Sequence, residues 1–464
     1  MESTFSEEFK RKLGTIVSKT MAEVHAPGVS VALLKEGKVV YAKGFGARDV
    51  ERNLPATPRT LYGIGSCTKS FTALAVMKLV GEERLNIGDP ISEHLPFEPG
   101  NEDEPITIQS LLSMSSGMPA DGMAGILIKR MTGVGDSWIP LSDIDDFLVF
   151  VNNSKGELAD KPGKRYFYYN TGFTLLGEVV ERVSGVPYED YIAENILRPL
   201  GMERSTFKRE AFEADPDRMT AYRKEKDGSL TATVHPFHKL IYAPGGLLSP
   251  VTELTNYLKM NLGGGVYEGE TIIDQSLLEK MHTGYTATGE GIFGTAKYCY
   301  GWAVLEDFLG HRMIRHSGST GVSSAMLGFI PDLDIGVAFA SNIGSFGPTI
   351  PHAAMALLMD RDPEKDIPYI AEELDLASLT GEYEAYEGTN MVNVVKKGAL
   401  LYVEQDTKWS EMSVPLIPKR REAGNRRFTI LTGAGGKTLV EFEEASDGGM
   451  DLYMERWRLH RKRK

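Results

Sequence analysis

Apolar and polar positions change period several times along this chain, and each change marks an element. Residues 5–24 carry Phe9, Leu13, Ile16, Val17 and Met21 at helical spacing among charged positions, and the pattern breaks at Pro27-Gly28. Residues 29–34 and 39–45 are β-rich and are separated by Lys35-Glu36-Gly37-Lys38, a hairpin signal. The next apolar run, Phe71, Leu74, Ala75, Met77 and Val80, predicts a helix. After a turn at 85–90, residues 106–114 predict another, ended by Ser116-Gly117. Residues 118–160, rich in Gly, Met and Asp, lose any steady period and read as a partly helical insertion or lid. Residues 173–183 and 189–197 are helical again, divided by Ser184-Gly185-Val186-Pro187.

Short β-like runs follow at 299–305, 311–316, 324–330 and 335–340. Strands at both ends of residues 1–360, with helices between, predict an α+β domain with one antiparallel sheet whose edges come from the two termini. The charged, proline-bearing stretch 361–372 predicts a linker. Beyond it, alternating runs at 381–386, 392–403, 412–417, 427–431, 439–442 and 452–457 predict an antiparallel β-barrel over 373–464.

Composition narrows the class. The 464 residues are 42% hydrophobic and 25% charged, ordinary for a soluble chain with room for two or three domains. A net charge of −13 argues against a general nucleic-acid binder. Cys67 and Cys299 alone build neither a disulfide framework nor a cysteine metal site. The first residues carry acids where a secretory signal would have a basic start and an apolar core, and no apolar run suits a membrane span. A cytoplasmic protein without membrane contact is expected. Leu431-Thr432-Gly433-Ala434-Gly435-Gly436-Lys437-Thr438 imitates a phosphate loop, but Leu431 replaces its first glycine and no helix follows, so it reads as a hairpin turn. His235-Pro236-Phe237-His238 has no third ligand at metal spacing, and residues 456–464 read as a solvated basic tail.

Candidate chemistry centres on Gly65-Ser66-Cys67-Thr68-Lys69-Ser70. At helical pitch Ser66 and Lys69 share a face, so the hydroxyl and the amine can meet as nucleophile and proton acceptor. A second copy of this spacing, Ser205-Thr206-Phe207-Lys208, follows a turn and has no apolar helix behind it, so it reads as surface. Tyr166-Phe167-Tyr168-Tyr169-Asn170-Thr171-Gly172 places a phenol and an amide two residues apart just before a helix. Arg315-His316-Ser317-Gly318-Ser319 ends one strand run and enters the next.

In this order the three sites resemble the serine β-lactamase and penicillin-binding protein family, whose pattern is Ser-x-x-Lys, Tyr-x-Asn and Lys/His-Thr/Ser-Gly. The resemblance covers residues 10–355 and extends to Ala243-Pro244-Gly245-Gly246-Leu247-Leu248-Ser249 and Ala340-Ser341-Asn342, familiar in the branch of class C β-lactamases, esterases and D-aminopeptidases. His282-Thr283-Gly284 also fits the third motif but lacks a strand context. The tail after residue 370 resembles the lipocalin-like barrel of some archaeal and bacterial peptidases. The resemblance implies a β-lactamase/transpeptidase-like sheet flanked by helices. It also implies that Ser66 is acylated, that Lys69 and Tyr168 are the proton-handling pair, the lysine's ammonium form disfavoured by packing and a phenolate favoured beside a cationic amine, which leaves open which of the two is the base, and that Asn170 orients substrate and Lys69. The oxyanion hole would be the N–H groups of Ser66 and Ser319. No metal or cofactor is implied. His316 stands where many members carry lysine, which weakens the pull on a substrate carboxylate. The reading that follows is a serine peptidase on small peptides, including those with D-residues. The alternatives are a carboxylesterase or weak β-lactamase with the same residues, and a binding protein that has lost the chemistry. The partners expected are a small peptide, ester or amide and further copies of the chain, with the appended barrel carrying an interface or capping the cleft.

Overall fold

Gly28–Lys35 is almost wholly apolar and buried along its length, as a strand covered on both faces must be. In the computed structural model, which describes residues 6–100, 103–134, 140–408 and 411–462, this strand pairs antiparallel with Lys38–Asp49 and with Ile335–Ser341. The sheet has nine strands, running outward from Ile335–Ser341 through Ser324–Ile330, His311–Ser319, Ala303–Phe308 and Gly294–Tyr298 to Thr286–Gly291. The other edge is Leu54–Pro55. The run expected at an edge, 335–340, is therefore interior: the first and last strands of this unit pair with each other, and the hairpin 286–298, unread in the sequence, caps the sheet.

Thr68–Gly81 is buried on nearly every side, so its sequence shows an apolar run rather than a stripe. It packs against Asn170–Ser184, Tyr242–Gly245 and Gln275–His282. Glu7–Val24 buries Phe9, Leu13 and Val17, and Ser6 Oγ caps it by accepting from the Phe9 N–H. The helix expected at 106–114 contracts to Ile108–Leu112, fixed by a Thr107–Ser110 capping box. The aperiodic stretch 118–160 holds helices Met123–Met131 and Ile144–Asn153, while its residues 135–139 lie outside the described residues.

The chain divides into two compact units, Met1–Met359 and Asp360–Lys464. The stretch expected as a linker is helical, over Pro363–Asp366 and Pro368–Ser378, each with proline at its first position. The barrel is closed, with eight strands, the first paired to the last through Tyr383 and Arg461. Two of the six alternating runs are each a hairpin. One folds at Gly398-Ala399, with Gly398 at φ +59°, and the other at Glu455-Arg456, with Glu455 at φ +53°. Alternation carries straight through a two-residue turn, which is why period alone counts one strand where there are two. The phosphate-loop lookalike is the turn between Arg427–Leu431 and Lys437–Glu444. Among the described residues, no helix is long and apolar enough to cross a membrane, and no group of three or more His, Cys, Asp and Glu could hold a metal ion.

Candidate active site

Ser66 lies in a single 3-10 turn, Gly65–Cys67, that leads into Thr68–Gly81. It is partly exposed, whereas Gly65, Cys67 and Lys69 are buried. Lys69 Nζ sits 3.1 Å from Ser66 Oγ, 2.7 Å from Asn170 Oδ1 and 2.6 Å from the Pro244 carbonyl oxygen. It also lies against the rings of Tyr168 and Phe173, at 4.9 and 5.5 Å from their centroids. Burial drives the amine well below an ordinary lysine, and no carboxylate is among the groups that act on it. A neutral amine has two N–H bonds and one lone pair. Two carbonyl oxygens take the two N–H bonds, and the lone pair is left for the Ser66 hydroxyl proton. The Pro244 carbonyl was not singled out from sequence, because a backbone acceptor leaves no mark in side-chain pattern.

Tyr168 and Asn170 arrive from the chain that enters Asn170–Ser184, and Asn170 is the first residue of that helix rather than a residue before it. Burial raises the Tyr168 phenol well above its usual range, against the opposing pull of the Ser66 hydroxyl. With Lys69 neutral, no cation stands beside Tyr168 to favour a phenolate, and burial keeps the phenol protonated.

His316 is buried on His311–Ser319, one unbroken strand that runs on through Ser319 rather than ending at residue 316. Its Nδ1 is 2.7 Å from the Ser317 carbonyl oxygen, so that nitrogen carries the hydrogen. Nε2 therefore accepts from the Tyr298 hydroxyl at 3.0 Å. Burial pushes the imidazole down to about 3, so it is neutral at physiological pH. Both ring nitrogens are engaged inside the protein, which leaves no imidazole N–H for a substrate carboxylate. Tyr298 was missed in the sequence; its only signal is that it closes a strand just before Cys299-Tyr300-Gly301-Trp302.

Gly65, at φ +53°, and Gly318 bring Ser66 and Ser319 together. A Cβ on Gly65 would lie 2.4 Å from the Ser319 nitrogen, and one on Gly318 would lie 2.5 Å from the Ser66 nitrogen and 2.0 Å from the Ile64 oxygen. The two backbone N–H groups thus lie across a contact that admits no side chain. Cys67 Sγ donates to the His316 carbonyl at 3.2 Å, and burial raises the thiol to about 12, so it ties helix to strand and is no nucleophile. Ser66, Lys69, Tyr168, Asn170, His316 and Ser319 are all brought into this one neighbourhood.

The lookalikes fall elsewhere. Ser205-Thr206-Phe207-Lys208, expected at the surface, is exposed only at Lys208, which pairs with Asp190; Ser205 and Phe207 are buried, and Ser205 Oγ bonds Ser249 and Glu253 beneath the chain. His282, at the end of a helix, bonds Asn261. His235 packs against the rings of Phe212 and Phe237.

The chain matches the Beta-lactamase family over residues 13–358 and the Pab87 octamerisation domain over 363–460. It is 30% identical over 346 residues to Protein flp of Staphylococcus aureus (strain MW2), covering 73% of this chain and 64% of that protein. It is 26% identical to the Putative penicillin-binding protein PbpX of Bacillus subtilis, over 58% of this chain and 61% of that one. The chain thus spans less than two thirds of the length of these curated relatives. A structure of the octameric penicillin-binding protein homologue from Pyrococcus abyssi superposes with a TM-score of 0.89 at 40% identity, covering 97% of this chain and 100% of that one. A class C beta-lactamase shares the fold, with a TM-score of 0.62 at 21% identity over 76% of this chain and 96% of that one.

Proposed function

The chain belongs to the beta-lactamase family, among the serine hydrolases related to penicillin-binding proteins, and on that premise we propose that it hydrolyses small acyl compounds through an acyl-enzyme on Ser66. Lys69 takes the Ser66 hydroxyl proton as the Oγ–C bond forms. The N–H groups of Ser66 and Ser319 hold the oxyanion, each such donor contributing roughly 3 to 4 kcal/mol. As the C–N or C–O bond of the substrate breaks, the protonated Tyr168 phenol delivers a proton to the leaving atom and is refilled from Lys69. Asn170 orients Lys69 and the substrate amide. Water then releases the acyl group by the reverse proton path. His316 and Tyr298 act as positioning residues for the strand that carries Ser319.

The observation that carries this reading is the Lys69 amine, held by two carbonyl oxygens with its third direction on Ser66 Oγ. The substrate class favoured is a small peptide, including peptides with D-residues, because the neutral and internally satisfied His316 offers no anchor for the carboxylate of a penicillin. A carboxylesterase or a weak β-lactamase would use the same residues, and a binding protein without turnover is the remaining alternative. Turnover of D- and L-aminoacyl p-nitroanilides, short p-nitrophenyl esters and a chromogenic cephalosporin separates them. Anilide turnover supports the peptidase; hydrolysis of esters alone would remove it.

The match to an octamerisation domain and the octameric homologue support a homo-oligomer built with the barrel, on the scale of eight 51.1 kDa chains. A cytoplasmic site of action fits the two buried, unpaired cysteines.

A further inference from the structure

Three arginines meet at one cavity in a chain whose net charge is −13. The cavity holds about 350 Å³ and lies in the first unit, between Arg52, the helix Arg209–Ala214, residues 218–221 and residues 233–237. None of its lining residues belongs to the Ser66 neighbourhood. Each guanidinium is held differently. Arg52 is engaged by Asp49, whose Oδ2 takes its Nε and Nη2 at 2.9 and 2.8 Å; Asp49 is itself buried and also accepts from Thr220 Oγ1. Arg218 donates from Nη1 to the Asp215 backbone carbonyl at 3.1 Å, while the Asp215 carboxylate is held by Arg204 at 2.7 to 2.9 Å. Arg209 reaches Glu213, the one carboxylate lining the cavity, only at 3.8 Å, which is too long for a hydrogen bond. Arg209 and Arg218 therefore bring two positive charges and unused fork-shaped donors to this cavity, and such forks suit a carboxylate or a phosphate.

His235 is an independent sign of a ligand. It lines the same cavity, is 5% exposed, and its Nδ1 is buried without a hydrogen-bond partner among the described residues. A buried polar ring left unbonded points to a group that the protein alone does not supply. Burial, then the nearby Arg209, hold the imidazole down to about 3, so it is neutral and keeps one N–H to donate. Phe212 and Phe237 flank it, with ring centres 5.8 and 4.9 Å away, and the Arg209 guanidinium lies 5.2 Å from the centre of the Phe237 ring. The cavity thus has an apolar wall beside its charged one, and its volume falls in the range of small-molecule sites rather than that of a bare ion.

We propose that this cavity is a second ligand site, apart from Ser66, for a small organic oxyanion whose carboxylate or phosphate group lies between Arg209 and Arg218 beside His235, and whose apolar body rests on Phe212 and Phe237. The test is calorimetric titration of the full chain with phenyl phosphate, benzoate and inorganic phosphate at one ionic strength. The variants are Arg209→Gln, Arg218→Gln and Lys208→Gln, the last removing an equal charge that faces Asp190 instead of the cavity. An aromatic anion should bind the wild type at one per chain. Its affinity should fall roughly tenfold or more in each arginine variant, since each loses a charged hydrogen bond, and should stay unchanged in Lys208→Gln. Tighter binding of phenyl phosphate assigns the site to phosphate compounds, and tighter binding of benzoate assigns it to carboxylates. The proposal is overturned if neither aromatic anion binds, if the arginine variants bind as the wild type does, or if Lys208→Gln loses as much as they do. Inorganic phosphate binding as tightly as phenyl phosphate would overturn it too. Should an arginine variant fail to fold, modification of the wild type by phenylglyoxal, mapped by peptide mass, decides the matter. Protection of Arg209 and Arg218 by the aromatic anion supports the site, and equal labelling with and without it overturns it.

Discussion

Replacing Asn170 by aspartate tests the neutral lysine with almost no change of shape. Asn170 Oδ1 lies 2.7 Å from Lys69 Nζ, so the Asn170→Asp oxygen would face the amine at hydrogen-bond distance as an anion. At an effective dielectric constant near 20, two unit charges at that separation attract by about 6 kcal/mol. Burial of the new carboxylate opposes part of this, yet about 1.4 kcal/mol already changes a protonation ratio tenfold. Lys69 should therefore bind a proton at neutral pH, its lone pair should be lost to Ser66, and kcat/KM should fall by roughly the 10² to 10⁴ of a general base. The assay is a pH profile of kcat/KM on a p-nitrophenyl ester for the wild type, Asn170→Asp and Asn170→Ala. In the wild type, activity requires the unprotonated amine, so it rises with pH through an acid limb lying well below an ordinary lysine value. Asn170→Asp should move that limb upward, and Asn170→Ala, which adds no charge, should lower the rate without moving it upward. Wild-type activity at neutral pH in Asn170→Asp, on an unmoved limb, would refute the neutral-lysine argument.

Tyr168→Phe should cost anilide hydrolysis about 10² or more while costing p-nitrophenyl esters little, because p-nitrophenolate leaves without a proton; equal losses on both substrates would remove Tyr168 as the donor. Gly318→Ala sets a Cβ 2.0 Å from the Ile64 oxygen and 2.5 Å from the Ser66 nitrogen, so kcat should drop roughly 10² to 10³ through the oxyanion hole, read against a melting curve that shows whether the fold survives. Stability should fall on acidification, since His235, His282, His316 and His352 are held down to about 3 by burial against an ordinary 6.5. Their unfolded forms take up protons that the folded forms refuse, so folding free energy is lost as pH drops from about 6.5 towards 3; a urea midpoint unchanged between pH 7 and 4 would contradict those burials.

The parts of the site legible in the sequence were those fixed by local geometry. Ser66 and Lys69 face each other because three residues make most of a helical turn, and that needs no knowledge of the rest of the fold. Asn170 and His316 were visible only as motif partners, since 100 or more residues separate each from Lys69 and no period connects them. What stayed hidden depends on burial and on backbone. The sequence left open whether Lys69 or Tyr168 is the base, and the extent to which each is buried, which sets its charge, is visible only in the packed structure. Pro244 contributes a carbonyl, which every residue has. Tyr298 is one of 19 tyrosines, distinguished only by the imidazole it meets. In the barrel, strand identity was readable from alternation, but the hairpins at Gly398 and Glu455 were not, because an even-numbered turn preserves the alternation across it.

The central claim is that Ser66 is an activated nucleophile. Its most direct measurement is the intact mass of the full chain after exposure to a fluorophosphonate, for the wild type and for Ser66→Ala. A single adduct on the wild type, absent from Ser66→Ala and greatly slowed in Lys69→Ala, is the expected result. A folded wild type that gains no adduct, or a Ser66→Ala protein that gains the same one, would contradict it.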